Sequence, residues 1–252
     1  MPILILVALG GAMWAVNYFG NRASQDKEHF RPPNIDLQKV SQNWKSLIAQ
    51  AASAPRGPKN ARYTLLEFGD FQCPQCGRAK PIVDQLLAGY PGKMNEAFVQ
   101  VPLTNIHQYA MGAAVAAEAA QDQGKFWPMF DTLYANQDNL DSGDIGQYAS
   151  NLNLDLTKFQ EALTSPAEKH KVMAQRELAH ELGVESTPTF FVHDNVTGQT
   201  YGYLGISGNR DMKYPSEALW LGVSDLARNP PWLPGGAVSP VPPAQTAAAD
   251  PQ

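Results

Sequence analysis

Cysteine is scarce in this sequence, and its scarcity excludes two kinds of small domain. The chain of 252 residues contains only two cysteines, Cys73 and Cys76. A disulfide-stapled fold needs more cysteines at wider spacing, and a structural zinc site usually needs four Cys or His ligands. The pair therefore does redox chemistry, forms half of an intermolecular metal site, or has no special role. The histidines, none near the pair in sequence, are interpreted as surface or partly buried residues: His29, His107, His170, His180 and His193.

The sequence also lacks an excess of positive charge. Its formal net charge is -5 at pH 7, whereas nucleic-acid binding needs a basic patch or stripe. The hydrophobic content of 44% is enough for one sizeable core, or for one core with an inserted subdomain.

The one long apolar run lies at the N-terminus, over residues 2–19. Its length just reaches that of a transmembrane helix. A cleaved signal peptide is the main alternative, and a buried helix of the folded domain is a weaker one. Because no Ala-x-Ala cleavage site follows, we favour an uncleaved anchor. Arg22, Lys27 and Arg31 follow the run and no basic residue precedes it, so charge alone would put the following domain in the cytoplasm.

The rest of the chain alternates between strand and helix patterns. Strands are expected over 62–68, 97–103, 189–192 and 199–204, the last two as a hairpin. Helices are expected over 35–52, 77–88, 109–123, 165–182 and 214–226, and apolar stripes at helical spacing are formed by Phe126, Phe130 and Leu133 and by Leu156, Phe159 and Leu163. The Pro- and Ala-rich tail over 229–252 is expected to be disordered.

The two cysteines stand in a Cys-Pro-Gln-Cys motif between a predicted strand and a predicted helix. A sulfur at a helix N-terminus meets unpaired backbone N–H groups and the positive end of the helix dipole, which favour a thiolate. Cys73 is therefore predicted to be the nucleophile. Cys76, one turn further in, would be shielded and would resolve the mixed disulfide.

Two other features have both a functional and a structural interpretation. Pro188 precedes a strand, where it is either an edge residue or part of a cis Thr187–Pro188 bond that faces the cysteines and offers backbone groups to a substrate strand. Glu67 lies in an otherwise apolar strand. It either exchanges the proton of Cys76 through water or simply faces solvent at the strand end.

Several segments together resemble the DsbA-like thioredoxin family, most closely its membrane-anchored bacterial branch. They are Leu66–Cys76 (LEFGDFQCPQC), Gly124–Trp127, Leu133–Asn136 and Gly183–Phe191, within a similarity over about 58–226. The resemblance implies an α/β thioredoxin fold with an inserted helical subdomain, preceded by one N-terminal transmembrane helix. It implies Cys73 as nucleophile, Cys76 as resolving thiol, Glu67 as buried acid, and a substrate-binding surface formed by Pro188, Thr187, Pro74 and Gln75.

The expected domain boundaries follow from the patterns and the resemblance together. We expect an anchor or signal segment at 1–20, a spacer and helix at 21–57, a first thioredoxin part at 58–104, a helical insertion at 105–183, a second thioredoxin part at 184–228 and the tail at 229–252.

Two departures from the family pattern leave the direction of the reaction open. Gln75 stands where the strongest oxidases carry His, so we expect a less extreme oxidant. Where family members often place a Lys or Arg near the buried acid, the second strand offers only Gln100.

The expected enzyme is a protein disulfide oxidoreductase that needs no cofactor or metal and acts as a monomer. Oxidase is favoured over reductase or isomerase, and a metal-binding or assembly factor is the alternative of another class. Its expected partners are protein thiols or disulfides and a membrane recycling protein. Its expected location is the bacterial cytoplasmic membrane, with the catalytic domain on the periplasmic side.

Overall fold

A computed structural model describes residues 35–204 of the chain. In chain order, the helices and strands of this part are α1 (Leu37–Gln42), α2 (Trp44–Ala49), β1 (Tyr63–Gly69), α3 (Pro74–Gly89), β2 (Met94–Gln100), α4 (Ala110–Gln121), α5 (Phe126–Ala135), α6 (Ser142–Asn151), α7 (Leu156–Thr164), α8 (Pro166–Glu181), β3 (Thr189–Asp194) and β4 (Thr200–Leu204).

The four strands form one mixed sheet in the order β2-β1-β3-β4. Strands β1 and β2 are parallel, with Glu67 opposite Phe98, and β3 runs antiparallel to both β1 and β4. The helix α3 makes the crossover between the two parallel strands, and α4 to α8 intervene between β2 and β3. This is the predicted thioredoxin fold with helices inserted before the terminal hairpin.

Alternate side chains of β1 enter two different layers of the core. Leu66 and Phe68 pack on one face against α1, α2 and α8. Leu65 packs on the other face against α3. The inserted helices have their own aromatic core, which contains Phe98, Phe130 and Tyr134 and reaches both cysteines. The redox motif therefore lies where the sheet meets the helical insertion.

The outer edge of β2 is covered by the chain segment that precedes β1. Arg56 and Glu96 exchange two backbone hydrogen bonds of 2.8 and 3.0 Å as an isolated antiparallel bridge, and the N–H of Ala52 donates to the Phe98 carbonyl at 2.8 Å. This segment brings the Arg56 side chain over the sheet.

Three details of the sequence prediction are wrong. The helix expected over 35–52 is two short helices, because the side-chain amide of Asn43 donates to the Lys39 carbonyl and Asn43 caps the first of them. Strand β2 lies three residues earlier than the expected 97–103. Its first residues include Asn95 and Glu96, which are polar but buried by contacts with Pro58 and Arg56. Leu156 is 50% exposed and does not belong to the core stripe.

Some predictions fall outside the described residues: the apolar run at 2–19, the helix at 214–226 and the tail at 229–252. Within residues 35–204, no helix has the length and apolar character needed to cross a membrane.

Candidate active site

Cys73 occupies the N-cap position of α3, directly before Pro74 at the first helical position. Its backbone is extended there, with φ −72° and ψ 118°, and its side chain makes no capping bond. Proline is favoured at this position because it needs no N–H partner and its φ already suits a helix. The motif thus starts the helix itself and leaves the Cys73 sulfur beside the free N–H groups of the first turn.

The Cys73 thiol faces the segment before β3. The Thr187–Pro188 peptide bond is cis, and the Cys73 thiol donates to the Thr187 carbonyl at 3.5 Å. The Thr187 hydroxyl is buried beside it and makes no hydrogen bond of ordinary geometry with the described residues. The structure therefore brings together the two features that the sequence placed far apart, the cysteine motif and the predicted cis proline.

The surroundings of Cys73 favour its thiolate. A hydrogen bond from the Cys76 thiol lowers the pKa of Cys73 to about 6, helped by the Thr187 hydroxyl and the backbone N–H groups of Gln75 and Cys76, while burial opposes the shift. A thiol with a pKa of about 6 is roughly 90% ionised at pH 7. Both cysteines are free thiols in this structure, which thus represents the reduced protein.

Cys76 has the opposite environment. It is fully buried, and burial raises its pKa well above the usual value, with further contributions from Cys73 and Glu67. The Asp70 backbone N–H, which donates to the sulfur, opposes this shift. Since a thiolate is the reactive form, the two sulfurs differ in reactivity before any substrate arrives.

Glu67 is buried rather than solvent-facing, with 2% of its surface exposed. Burial raises its pKa well above the usual value, and a hydrogen bond to the neighbouring carboxylate of Glu96 adds to the shift, while Arg56 opposes it. Two adjacent buried carboxyls cannot both ionise at low cost. We therefore assign the proton to Glu67 and the negative charge to Glu96, which is paired with Arg56.

The second strand carries no Lys or Arg, as the sequence indicates, but a cation from another segment lies near the buried acid. The Nε of Arg56 donates to Glu96 at 2.5 Å. The missing cation thus comes from the segment before β1 and not from the second strand. Arg56 also pairs with Asp84 on α3 at 2.9 Å and with Asp131 on α5 at 3.2 Å, and it stacks on Trp127. A chain of charged groups connects the buried acid with the half-exposed Asp84 and Asp131.

Asp70, three residues before Cys73, anchors the loop that carries the motif. One carboxylate oxygen accepts the backbone N–H of Gln72 at 2.8 Å, and the other accepts that of Leu103 at 2.9 Å. The second oxygen also meets Nδ1 of His107 at 2.7 Å. His107 is thus a neighbour of the redox loop, which its sequence position did not indicate.

Tyr134, from α5, adds a hydroxyl to the buried side of the site. This hydroxyl has no hydrogen-bond partner within the described part of the chain. Burial raises the pKa of Tyr134, and the acidic groups of Glu67 and Cys76 reinforce the effect. A Cβ added at Gly69 would lie 2.9 Å from the Tyr134 hydroxyl and 2.5 Å from the Phe98 ring, so glycine is needed where β1 leads into the motif.

The predicted substrate-binding residues surround Cys73 but differ in exposure. Pro74 is exposed and Gln75 is half-buried, whereas Pro188 is buried beside Thr187. Within residues 35–204, no three His, Cys, Asp or Glu side chains cluster as metal ligands. The roles of Cys73, Cys76, Glu67, Thr187, Pro188, Pro74 and Gln75 stay predictions.

Comparison with known proteins decides the family. A family model described as thioredoxin matches residues 49–206. The chain belongs to the thioredoxin family. A thioredoxin-like oxidoreductase from Silicibacter pomeroyi DSS-3 is 27% identical, with 60% of this chain and 85% of that chain covered and a TM-score of 0.53. The thiol-disulfide exchange protein alpha-DsbA2 from Wolbachia pipientis is 22% identical, with 67% and 87% covered and a TM-score of 0.56.

These findings confirm the thioredoxin family and the predicted class of enzyme, a thiol–disulfide oxidoreductase. The likeness to alpha-DsbA2, at 22% identity, supports the fold. One curated relative has a name that does not mention thioredoxin or disulfide exchange. The Na(+)/H(+) antiporter NhaA 3 of Salinispora tropica is 44% identical over 138 residues, which are 55% of this chain and 21% of that protein. The chain thus spans about a fifth of the length of this relative.

Proposed function

We propose that this thioredoxin-family protein is a disulfide-forming oxidase of the DsbA type that acts on protein thiols outside the cytoplasm. The observation that carries the proposal is the asymmetry between its two sulfurs. The pKa of Cys73 is lowered to about 6, and that of the buried Cys76 is raised. A stabilised Cys73 thiolate favours the reduced form of the protein, and a protein that prefers its reduced form is an oxidant.

The reaction starts from the Cys73–Cys76 disulfide. A substrate thiolate attacks the Cys73 sulfur, the bond between the two protein sulfurs breaks, and Cys76 leaves as a thiolate that takes up a proton. A second substrate thiolate then attacks the substrate sulfur of the mixed disulfide, and Cys73 leaves as a thiolate. The substrate loses two electrons and gains a disulfide, and the protein gains the two electrons as a dithiol.

Glu67 supplies the proton that Cys76 needs. Its protonated carboxyl lies on the buried side of the site, where burial makes the Cys76 thiolate unfavourable. During re-oxidation the transfer is reversed, because Cys76 must lose its proton before it can attack a mixed disulfide with the recycling protein. Arg56 holds the Glu96 carboxylate, and Glu96 accepts a hydrogen bond from Glu67 and so holds the acid in place.

The Thr187–Pro188 segment is the proposed docking site for the substrate chain. It lies directly beside the attacked sulfur, since the Thr187 carbonyl is within 3.5 Å of it. An extended segment that pairs with this backbone would bring its cysteine to Cys73. Pro74 and Gln75 would contact the same segment from the other side of the sulfur.

The proposed location is the bacterial cytoplasmic membrane, with residues 2–19 as anchor, the catalytic domain on the outer side and a membrane redox protein as recycling partner. The oxidising chemistry supports it, because disulfides persist mainly outside the cytoplasm. The antiporter relatives support a membrane setting, because proteins named as Na(+)/H(+) antiporters match 138 to 140 residues of this chain. Fusing reporter enzymes after residue 252 and assaying which side of the membrane they occupy tests the location.

The test of direction is the redox equilibrium of Cys73 and Cys76 with glutathione, together with refolding of reduced ribonuclease. An oxidase equilibrates at more oxidising ratios than thioredoxin and accelerates the refolding. A potential near that of thioredoxin, about −270 mV, would assign the protein to the reductases. If Cys73→Ala leaves the refolding of reduced ribonuclease unchanged and the purified protein carries stoichiometric copper or zinc, the metal-binding alternative holds.

A further inference from the structure

Gln137 connects the helical insertion to the loop that carries the cysteines. It follows α5 and the C-cap residue Asn136, so it belongs to the helical insertion and not to the strand part of the fold. Its side chain is half-buried. Neither the cysteine motif nor the proposed reaction includes this residue.

The side-chain amide of Gln137 makes two hydrogen bonds to the redox loop. Its Nε2 donates to the Phe71 carbonyl at 2.8 Å and to the Cys73 carbonyl at 2.9 Å. Both partners are carbonyl oxygens, which only accept, so the nitrogen must face them and both amide hydrogens are used. A side chain without two such donors could not satisfy both carbonyls.

Gly77 leaves the space that Gln137 needs. A Cβ at Gly77 would lie 1.9 Å from Oε1 of Gln137 and 2.6 Å from its side-chain carbonyl carbon. The N–H of Gly77 donates to the same Cys73 carbonyl at 3.2 Å. The first turn of α3 and the Gln137 amide therefore meet at one oxygen, that of Cys73.

We propose that Gln137 is a positioning residue for Cys73. The Gln137 side chain holds the start of α3 so that the backbone N–H groups of Gln75 and Cys76 point at the Cys73 sulfur. The two hydrogen bonds fix the carbonyls on either side of Gln72, and the orientation of the first helical turn follows from them. The inference rests on the proposed function only in taking Cys73 as the attacking thiolate. It adds that the helical insertion helps to set the reactivity of that thiolate.

The test compares Gln137→Leu, which has a similar shape but no donor, with Gln147→Leu as control. Gln147 is exposed on α6, and among residues 35–204 its side chain bonds only to Asn151 of the same helix. In reduced protein, absorbance at 240 nm as a function of pH gives the pKa of Cys73. We expect Gln137→Leu to raise this pKa and to shift the equilibrium with glutathione towards the protein disulfide by roughly threefold to tenfold, the effect of one net hydrogen bond. Gln147→Leu should change neither value.

Gly77→Ala tests the same contact from the other side, and it keeps the proposal falsifiable if Gln137→Leu fails to fold. Alanine is ordinarily the better helix residue, so a purely helical effect would leave the pKa of Cys73 unchanged. We expect Gly77→Ala to raise it, and the double variant to add little to either single change, because both remove one contact.

An unchanged pKa and an unchanged glutathione equilibrium in either single variant would overturn the proposal. Fully additive changes in the double variant would overturn it as well. A failure of the proposed function would look different. There the wild-type protein itself would not oxidise thiols, whatever the Gln137 variants do to the pKa of Cys73.

Discussion

Arg56 and Glu96 pair across the outer edge of the sheet, with the guanidinium Nε 2.5 Å from a carboxylate oxygen that is almost fully buried. Glu96 is also the neighbour that keeps the proton on Glu67. Through this pair, a residue outside the sheet controls the charge beneath the cysteines, and it does so from a position 17 residues before Cys73.

Removing the Arg56 charge should strongly destabilise the fold. In Arg56→Met, the buried carboxylate of Glu96 loses its partner, which typically costs about 3–5 kcal/mol. Urea denaturation of the reduced protein at pH 7 measures the loss. Arg62→Met is the matched control, because Arg62 also pairs with an aspartate, Asp194, but its side chain is 51% exposed. The control should lose clearly less, because solvent screens the exposed guanidinium and Asp194 keeps the backbone N–H groups of Val196 and Thr197. Equal losses in the two variants would contradict the assignment.

Glu67→Gln should stabilise the protein and slow its chemistry. The amide has the shape of the protonated acid and can still donate to Glu96. The pKa of Glu67 is raised above its unfolded value of 4.5, so wild-type folding takes up a proton above pH 4.5 and stability falls as pH rises. The variant escapes this loss, so its free energy of unfolding should exceed that of wild type by more at pH 8 than at pH 5.

The same variant lacks the acid that protonates Cys76. Attack of a dithiol on its Cys73–Cys76 disulfide, followed by stopped flow, should be at least about tenfold slower than in wild type. Glu161→Gln, an exposed change on α7, is the control and should alter neither stability nor rate. A Glu67→Gln protein with wild-type rates would remove Glu67 from the proton transfer.

Cys76 should affect the acidity of Cys73 through its hydrogen bond. This bond is the largest cause of the lowered pKa. In Cys76→Ala the donor is gone, and the pKa of Cys73 should rise by about one to two units. Cys76→Ser keeps a donor and should stay closer to a pKa of about 6. In both variants Cys73 is the only cysteine, so absorbance at 240 nm reports its titration alone. The same pKa in both variants would contradict the role of this bond.

Gly69→Ala should destabilise the site by overpacking. The added Cβ would lie 2.5 Å from the Phe98 ring, and such insertions typically cost about 1–3 kcal/mol. Gly112→Ala on α4 is the control, because a Cβ there meets nothing within 4 Å. That change should stabilise the helix by about 0.5–1 kcal/mol. Thermal denaturation should show a lower melting temperature for Gly69→Ala and a higher one for Gly112→Ala. A stabilised Gly69→Ala would show that the Phe98 ring moves aside and makes room for the added methyl group.

The parts of the fold that were predictable carry local signals. Strand β1 is apolar apart from Thr64 and Glu67, and α8 begins at Pro166 after the N-cap Ser165, a capping pattern visible in the sequence. Strand β2 was placed too late because Asn95 and Glu96 are polar. Their burial depends on Pro58 and Arg56, which lie far away along the chain. Helix α6 has no long apolar stripe, and its start depends on the Asp141 side chain, which caps it.

The residues of the site also fall into two groups, those with a local sequence signal and those whose place depends on distant parts of the chain. Cys73, Cys76 and Pro188 belong to motifs that can be read from neighbouring residues. Arg56 and His107 reach the site from separate segments, and only the packing of those segments shows it. Asp70 lies within the Leu66–Cys76 run, where a carboxylate so close to a redox motif is a sequence signal for an anchor of the loop. For Arg56 the signal is indirect, since a buried acid at Glu67 implies a cation that the second strand does not provide.

The segment that brings Arg56 to the site also has a consequence for self-association. Strand β2 ends the sheet on one side, and an uncovered edge strand is a template for pairing with another molecule. The backbone bridge between Arg56 and Glu96 and the bond from Ala52 to Phe98 occupy that edge. A shortened chain that starts at Tyr63 would lose the partner of Glu96 and expose the edge in the same step, and so would tend to aggregate rather than remain a weakened monomer.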